Sequence, residues 1–214
     1  METTLQKARK SPESMKARIL DAARRIFGEY GFHGATTRMI AKEVGIDIST
    51  LHYHWGEKKD LFAAVVIDIN ADLRLKLIEV EQMIHGRPLG DRLAVSIDVM
   101  TDYLFEHPEV SNLVLMRYLN KTRDDVLVDI KVPEFTCEIA RSMGLAADKK
   151  NVSADAKMKV LAVMNSIHSF ISGENFFRSI LKTDKEAYVA LVKETLKFIH
   201  VPAFARNGMA PGKR

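Results

Sequence analysis

One cysteine in 214 residues, Cys137, excludes a disulfide scaffold and any Cys-rich zinc or iron–sulfur site. No uninterrupted apolar run approaches the roughly 20 residues that span a bilayer. The opening METTLQKARKSPESMKAR lacks the apolar stretch of an export signal. A cytoplasmic protein with no membrane partner is expected. Eleven glycines and six prolines are too few for a collagen-like chain, and a 47% apolar share is too high for low-complexity disorder. Nucleophile-elbow glycines, a phosphate loop and an HExxH pair are all missing. No catalytic residue, cofactor or enzymatic activity is therefore expected. Cys137 lies between Phe135 and Ile139 and reads as an inert thiol.

What is present is helix and a local excess of base. The whole chain holds 32 Lys and Arg against 28 Asp and Glu, for a net charge of +4. Residues 1–25 concentrate Lys7, Arg9, Lys10, Lys16, Arg18, Arg24 and Arg25 against Glu2, Glu13 and Asp21. A basic end on a neutral body suits a polyanion contact at one pole, although a solvated helix face has the same composition. After a flexible basic arm over residues 1–12, Met15, Ile19, Ala22, Ala23, Ile26, Phe27 and Tyr30 recur at helical spacing. Gly31 ends that helix. A short one follows at 37–44, capped by Thr36 or Thr37, with Ile40, Ala41 and Val44 inward. Gly45 stops it, and Asp47 caps a third at 48–54. Two short helices joined by a glycine turn behind a longer one make a helix-turn-helix unit.

The stretch GFHGATTRMIAKEVGIDISTLHYHWGEKKDL, residues 31–61, resembles the TetR family of bacterial transcriptional regulators. Ala22, Phe27, Gly31-Phe32, Gly34, Thr36-Thr37, Ile40-Ala41, Val44-Gly45-Ile46, Thr50-Leu51, Trp55, Lys58 and Asp60-Leu61 carry the resemblance. Leu51 and Trp55, four apart, share a face that must pack inward, leaving Ser49, Thr50, Tyr53 and the flanking His52 and His54 toward solvent. Hydroxyls and amphipathic rings on a helix of major-groove width suit hydrogen bonds to bases and phosphates. The resemblance implies contacts to double-stranded DNA at Thr50, His52, Tyr53 and His54, and to phosphate at Thr37 and Lys58. Arg38, beside Thr37, joins this candidate set. The chain departs from the family's usual pattern with His52 in place of tyrosine and Trp55 in place of phenylalanine. The former would open a pH dependence of DNA affinity. His52 and His54, two apart, do not face each other, so no metal site is expected.

Beyond this head (residues 13–57) the pattern predicts about six further helices over 58–201. They are placed at about 58–84, 91–106, 109–121, a piece or two within 124–143 kinked at Pro133, 153–182 and 184–200, before a frayed tail over 202–214. The fold class is all-α: a three-helix head carrying the helix-turn-helix, and a helical body for ligand binding and dimerisation. The resemblance implies a homodimer through the last two long helices. Ala162, Ser166, Ser169 and Gly173 form a stripe of small residues there, and Val189, Val192, Leu196 and Ile199 an apolar face. It also implies a small-molecule effector. Met100, Tyr103, Leu104, Leu115, Met116, Tyr118, Phe135, Met164, Ile171, Phe176 and Phe177 are candidates to line its pocket, with Asn165, His168, Ser172 and Asn175 as polar groups. Ordinary core packing explains the same apolar residues. The expected function is a ligand-responsive repressor on a palindromic operator. An activator or nucleoid-associated factor without an effector is the alternative.

Overall fold

The computed structural model of the chain describes residues 2–119, 131–148 and 150–205. Among these residues every regular element is a helix, eleven in all. They are α1 Thr4–Lys10, α2 Met15–Gly34, α3 Thr37–Val44, α4 Ile48–Trp55, α5 Lys58–Ile84, α6 Leu89–Glu106, α7 Pro108–Leu119, α8 Val132–Ser142, α9 Ala154–Ser172, α10 Glu174–Leu181 and α11 Lys185–Ala205. They group into two compact units, Met1–Leu73 with Glu109–Ile130, and Arg74–Pro108 with Lys131–Arg214.

In the first unit, side-chain caps set the helix starts. Ser14, Thr36 and Asp47 each accept a backbone N–H from the first turn of α2, α3 and α4. Gly45 ends α3 at φ 79°, ψ 38°, a left-handed conformation that glycine adopts without a Cβ penalty. Ile19, Phe27, Ile40 and Leu51 are fully buried, and the Trp55 indole N–H donates to the Lys16 carbonyl at 3.1 Å. The unit does not end at residue 57, where the sequence suggested a boundary. Leu61, Val65 and Ile69 of α5 are buried in it, and Phe62 sits edge-on to Phe27 with ring centres 5.0 Å apart.

Residues 4–10 are a helix, not the expected flexible arm. A capping box between Thr3 and Gln6 starts α1. Arg9 then binds Asp68 at 2.6 Å and Asp72 at 2.8 Å. Arg24 reaches the same two carboxylates at 2.7 and 2.6 Å and Glu109 of α7 at 3.1 Å. Its guanidinium is held above its ordinary pKa. Burial opposes the charge, and the Asp72 hydrogen bond with the charges of Glu109, Asp68 and Asp72 outweighs it. Beside this network α2 and α7 nearly touch: a Cβ on Gly28 would lie 2.4 Å from that of Glu109.

The second unit is built on α6 against α11, with α9 on both. Ile97, Leu104, Val160, Ile167, Tyr188, Val192 and Leu196 fill it. The helix expected over 153–182 is two, α9 and α10, broken at Gly173. There the backbone is at φ −89°, ψ 9°, and the Phe177 ring lies where a Cβ would be, 2.3 Å from that position. Pro133 falls in the first turn of α8, where its missing N–H costs no helical bond, so it causes no kink there. The part of that prediction over 124–130, and residues 120–121 of the helix expected at 109–121, lie outside the described residues. Pro202 does not stop α11, which runs on to Ala205. The rest of the expected tail, 206–214, lies outside them too.

Candidate nucleic-acid interface

Helix α4 has two sharply different flanks. Leu51 is wholly buried and Trp55 nearly so, whereas Tyr53 is 85% exposed. Ser49, one turn before Tyr53, and His52 are exposed too, while Thr50 and His54 are half-buried. Ser49 donates its hydroxyl to Asp47 at 2.5 Å, and the Tyr53 and His54 rings meet edge to face at 5.2 Å. His52 Nδ1 lies 2.7 Å from the Gly56 carbonyl oxygen and donates to it, which fixes this ring against the end of its own helix. Thr36, not Thr37, is the cap of α3, its hydroxyl accepting from Met39 N–H at 3.1 Å. Thr37 is thereby left half-exposed in the first turn, next to exposed Arg38.

Lys58 stands differently from expectation. Its ammonium donates to the carbonyls of Phe32 at 2.9 Å and Ala35 at 3.0 Å and lies 4.5 Å from the Phe32 ring centre. Those contacts neutralise carbonyl charge at the end of α2. The side chain expected to meet phosphate braces α5 to α2, and no sequence periodicity signals that pairing across 26 and 23 residues.

The candidate body residues separate into several settings. Leu104, Phe135, His168 and Ile171 are buried in the second unit, and Met100, Tyr103, Met164 and Phe177 are half-buried there. Burial pushes the His168 imidazole down to a pKa of about 4. Asn165, Ser172, Asn175 and Phe176 are exposed, so the polar row expected beside His168 does not face inward with it. Met116 belongs to the first unit, where its sulfur would meet a Cβ on Gly31 at 3.1 Å. Leu115, half-buried, is in that unit as well. The Tyr118 side chain lies outside the described ones. Sequence reasoning missed Thr101. It is fully buried on α6, and its hydroxyl has no hydrogen-bond partner among the described residues.

The residues expected on the pairing face differ in exposure. Val192 and Leu196 are buried in their own unit, and Gly173 is covered by Phe177. Ser166 is half-buried and donates to the Ala162 carbonyl at 2.8 Å. Val189 is half-buried and Ile199 exposed. The outward side of α9 carries Met158, Ala162, Asn165 and Ser169, and that of α11 carries Leu191 and Phe198, the last 82% exposed.

A family model described as bacterial regulatory proteins, tetR family, matches residues 19–65. The HTH-type transcriptional repressor AcnR of Corynebacterium diphtheriae is 32% identical over 133 residues, covering 52% of this chain and 70% of that protein. The chain belongs to the TetR family. Two solved structures share the fold over most of its length. One, a Clostridium perfringens putative fatty acid metabolism regulator, has a TM-score of 0.65 at 19% identity, over 86% of this chain and 97% of that one. The other, the transcriptional regulator FadR from Bacillus subtilis in complex with stearoyl-CoA, has a TM-score of 0.58 at 18% identity, over 86% and 96%. The matched family segment runs from the buried Ile19 of α2 through the whole of α3 and α4 to Val65 of α5. In this TetR-family head the two-sided α4 is therefore part of the family-defining region. Among the described residues no helix is long and apolar enough to cross a membrane.

Proposed function

We propose that the chain is a repressor that binds a palindromic operator as a homodimer and is released by a small, mostly apolar effector. The observation that carries the DNA-binding half is the division of α4, with Leu51 and Trp55 seated inward and Ser49 and Tyr53 projecting outward one turn apart. Such a helix, braced by two others, fits a major groove. Ser49, Thr50, Tyr53, His52 and His54 are the proposed contacts from α4. Thr37 and Arg38, at the start of α3, are the proposed phosphate contacts, helped by the helix end itself. Lys58 serves by holding α5 to α2.

Tyr53→Ala should weaken operator binding by about 1–3 kcal/mol if the ring meets bases, measured by gel shift or anisotropy on a selected operator. An unchanged affinity would assign α4 another role.

Dimerisation is proposed through the outward sides of α9 and α11. A two-headed protein gains affinity by binding two half-sites together. Met158, Leu191 and Phe198 are large apolar side chains left exposed on these helices, the pattern expected of surface meant to be covered. Phe198→Glu should weaken self-association by at least about 2 kcal/mol, seen as monomer in sedimentation equilibrium. A dimer of unaltered strength would move the interface elsewhere.

The effector is proposed for the second unit, among Met100, Tyr103, Leu104, Phe135, Met164, His168 and Phe177, with Thr101 supplying a polar contact. The similar FadR, crystallised with stearoyl-CoA, supports a ligand with a long apolar portion. Helix α5 contributes residues to both units. A ligand favouring one orientation of that helix would shift the population between operator-binding and released forms.

A further inference from the structure

The last four carbonyls of an α-helix find no N–H partner within it and must be served from elsewhere. Val44 ends α3 with its side chain buried. The turn after it serves earlier carbonyls: Gly45 N–H donates to Ala41 and Lys42, and Ile46 N–H to Ala41. The Val44 carbonyl is met from another element, by the Arg18 guanidinium of α2, which donates to it at 3.0 Å. A cation there also faces the negative end of the α3 dipole. Two residues earlier on α2, the Lys16 carbonyl accepts the indole N–H of Trp55, the last residue of α4, at 3.1 Å. The turn that launches α4 and the far end of α4 are thus both tied to residues 16–18.

The apolar seat beneath α4 is small, Leu51 and Trp55 being its buried residues. Apolar contact is non-directional, so it holds the helix down without fixing its tilt, whereas hydrogen bonds are directional and do. Hydrogen bonds to base edges tolerate only about 0.5 Å of misplacement, while attraction to phosphate charge falls off slowly with distance. A loosened α4 therefore loses discrimination between sequences before it loses affinity for duplex in general. Arg18 is exposed, and by composition alone it would count as one more phosphate contact. Its bond to Val44 gives the guanidinium another task. On the reading of α4 as the groove-entering helix, we propose that Arg18 is a positioning residue for DNA binding. It fixes the turn between α3 and α4, and through it the angle at which α4 enters the groove, without touching DNA itself.

The full-length wild type first selects an operator from a randomised duplex pool. Affinities for that operator and for unselected duplex are then measured against salt for wild type, Arg18→Met and Arg18→Lys, each checked for native helix content. Arg18→Met keeps the alkyl stem and loses the donor. It should bind the operator about tenfold more weakly, the scale of one charge-assisted hydrogen bond, and unselected duplex within about twofold of wild type. Its salt slope should stay within about half a unit of wild type. Arg18→Lys, able to donate a single bond to the same carbonyl, should recover about threefold of the operator loss. A slope lower by about one unit, with both affinities reduced together, makes Arg18 a phosphate contact and overturns the proposal. An unchanged operator-to-duplex ratio in folded Arg18→Met shows a purely structural bond and overturns it too, leaving DNA reading by α4 standing. Should Arg18→Met not fold, Arg18→Lys decides: a ratio about threefold below wild type supports the proposal, and an unchanged one overturns it. A wild type that enriches no operator overturns the DNA-binding assignment itself, and the role of Arg18 with it.

Discussion

Replacing Arg24 by methionine should lower the unfolding free energy by about 3–5 kcal/mol, the scale for removing one partner of a buried ion cluster. Its side chain is 13% exposed, against 7% for Asp68 and 11% for Glu109. The guanidinium fork spans two carboxylates of α5 and one at the start of α7. Without it, Asp68 and Asp72 keep, among the described residues, only Arg9, itself 36% exposed and more strongly screened by solvent. Arg24→Lys should recover part of the loss, because a point charge cannot satisfy three carboxylates as the fork does. Urea unfolding followed by circular dichroism gives the number. A loss below about 1 kcal/mol would mean that these groups behave as an ordinary solvated surface pair.

Lowering the pH from about 6.5 to 4 should remove about 3 kcal/mol of stability through His168. Its folded pKa is about 4 against an ordinary 6.5, and burial is the cause. Between those values the unfolded chain binds the proton and the folded one does not, so protonation favours unfolding. The contribution is whole above about 6.5 and lost as pH falls through about 4. His200, also lowered by burial, acts with the same sign. His168→Gln should flatten the profile in this window relative to wild type. An unchanged slope would show that the imidazole stays solvated or charged in the folded state.

The head was legible because its signals are local. Leu51 and Trp55 lie on one helical face, Gly45 occupies the one left-handed step between α3 and α4, and Asp47 caps three residues ahead. Each is decided within a few residues, and each stands as expected. The body was legible as helix but not as surface. Helix α11 carries two apolar stripes, Tyr188, Val192 and Leu196 inward, and Leu191 and Phe198 outward. Periodicity registers both and does not say which meets the chain's own α6. Gly173 reads as room for a neighbouring helix, yet Phe177 of the next turn occupies that room. Similarly, α1 stands where a flexible arm was expected, and its anchor is Arg9 to Asp68, 59 residues away. The brace from Lys58 back to Phe32 and Ala35 is hidden for the same reason. Pairings of that kind depend on how helices dock, which composition does not encode.

Trp55 is the chain's single tryptophan, and it sits on the inner flank of α4, 6% exposed with its indole N–H on the Lys16 carbonyl. Its emission is therefore an intrinsic optical gauge of one event, the seating of α4 on α2. Red-shifted light during denaturation dates the loss of the first unit. The second unit, holding no indole, melts dark, so comparing emission with backbone ellipticity separates the two transitions without any label.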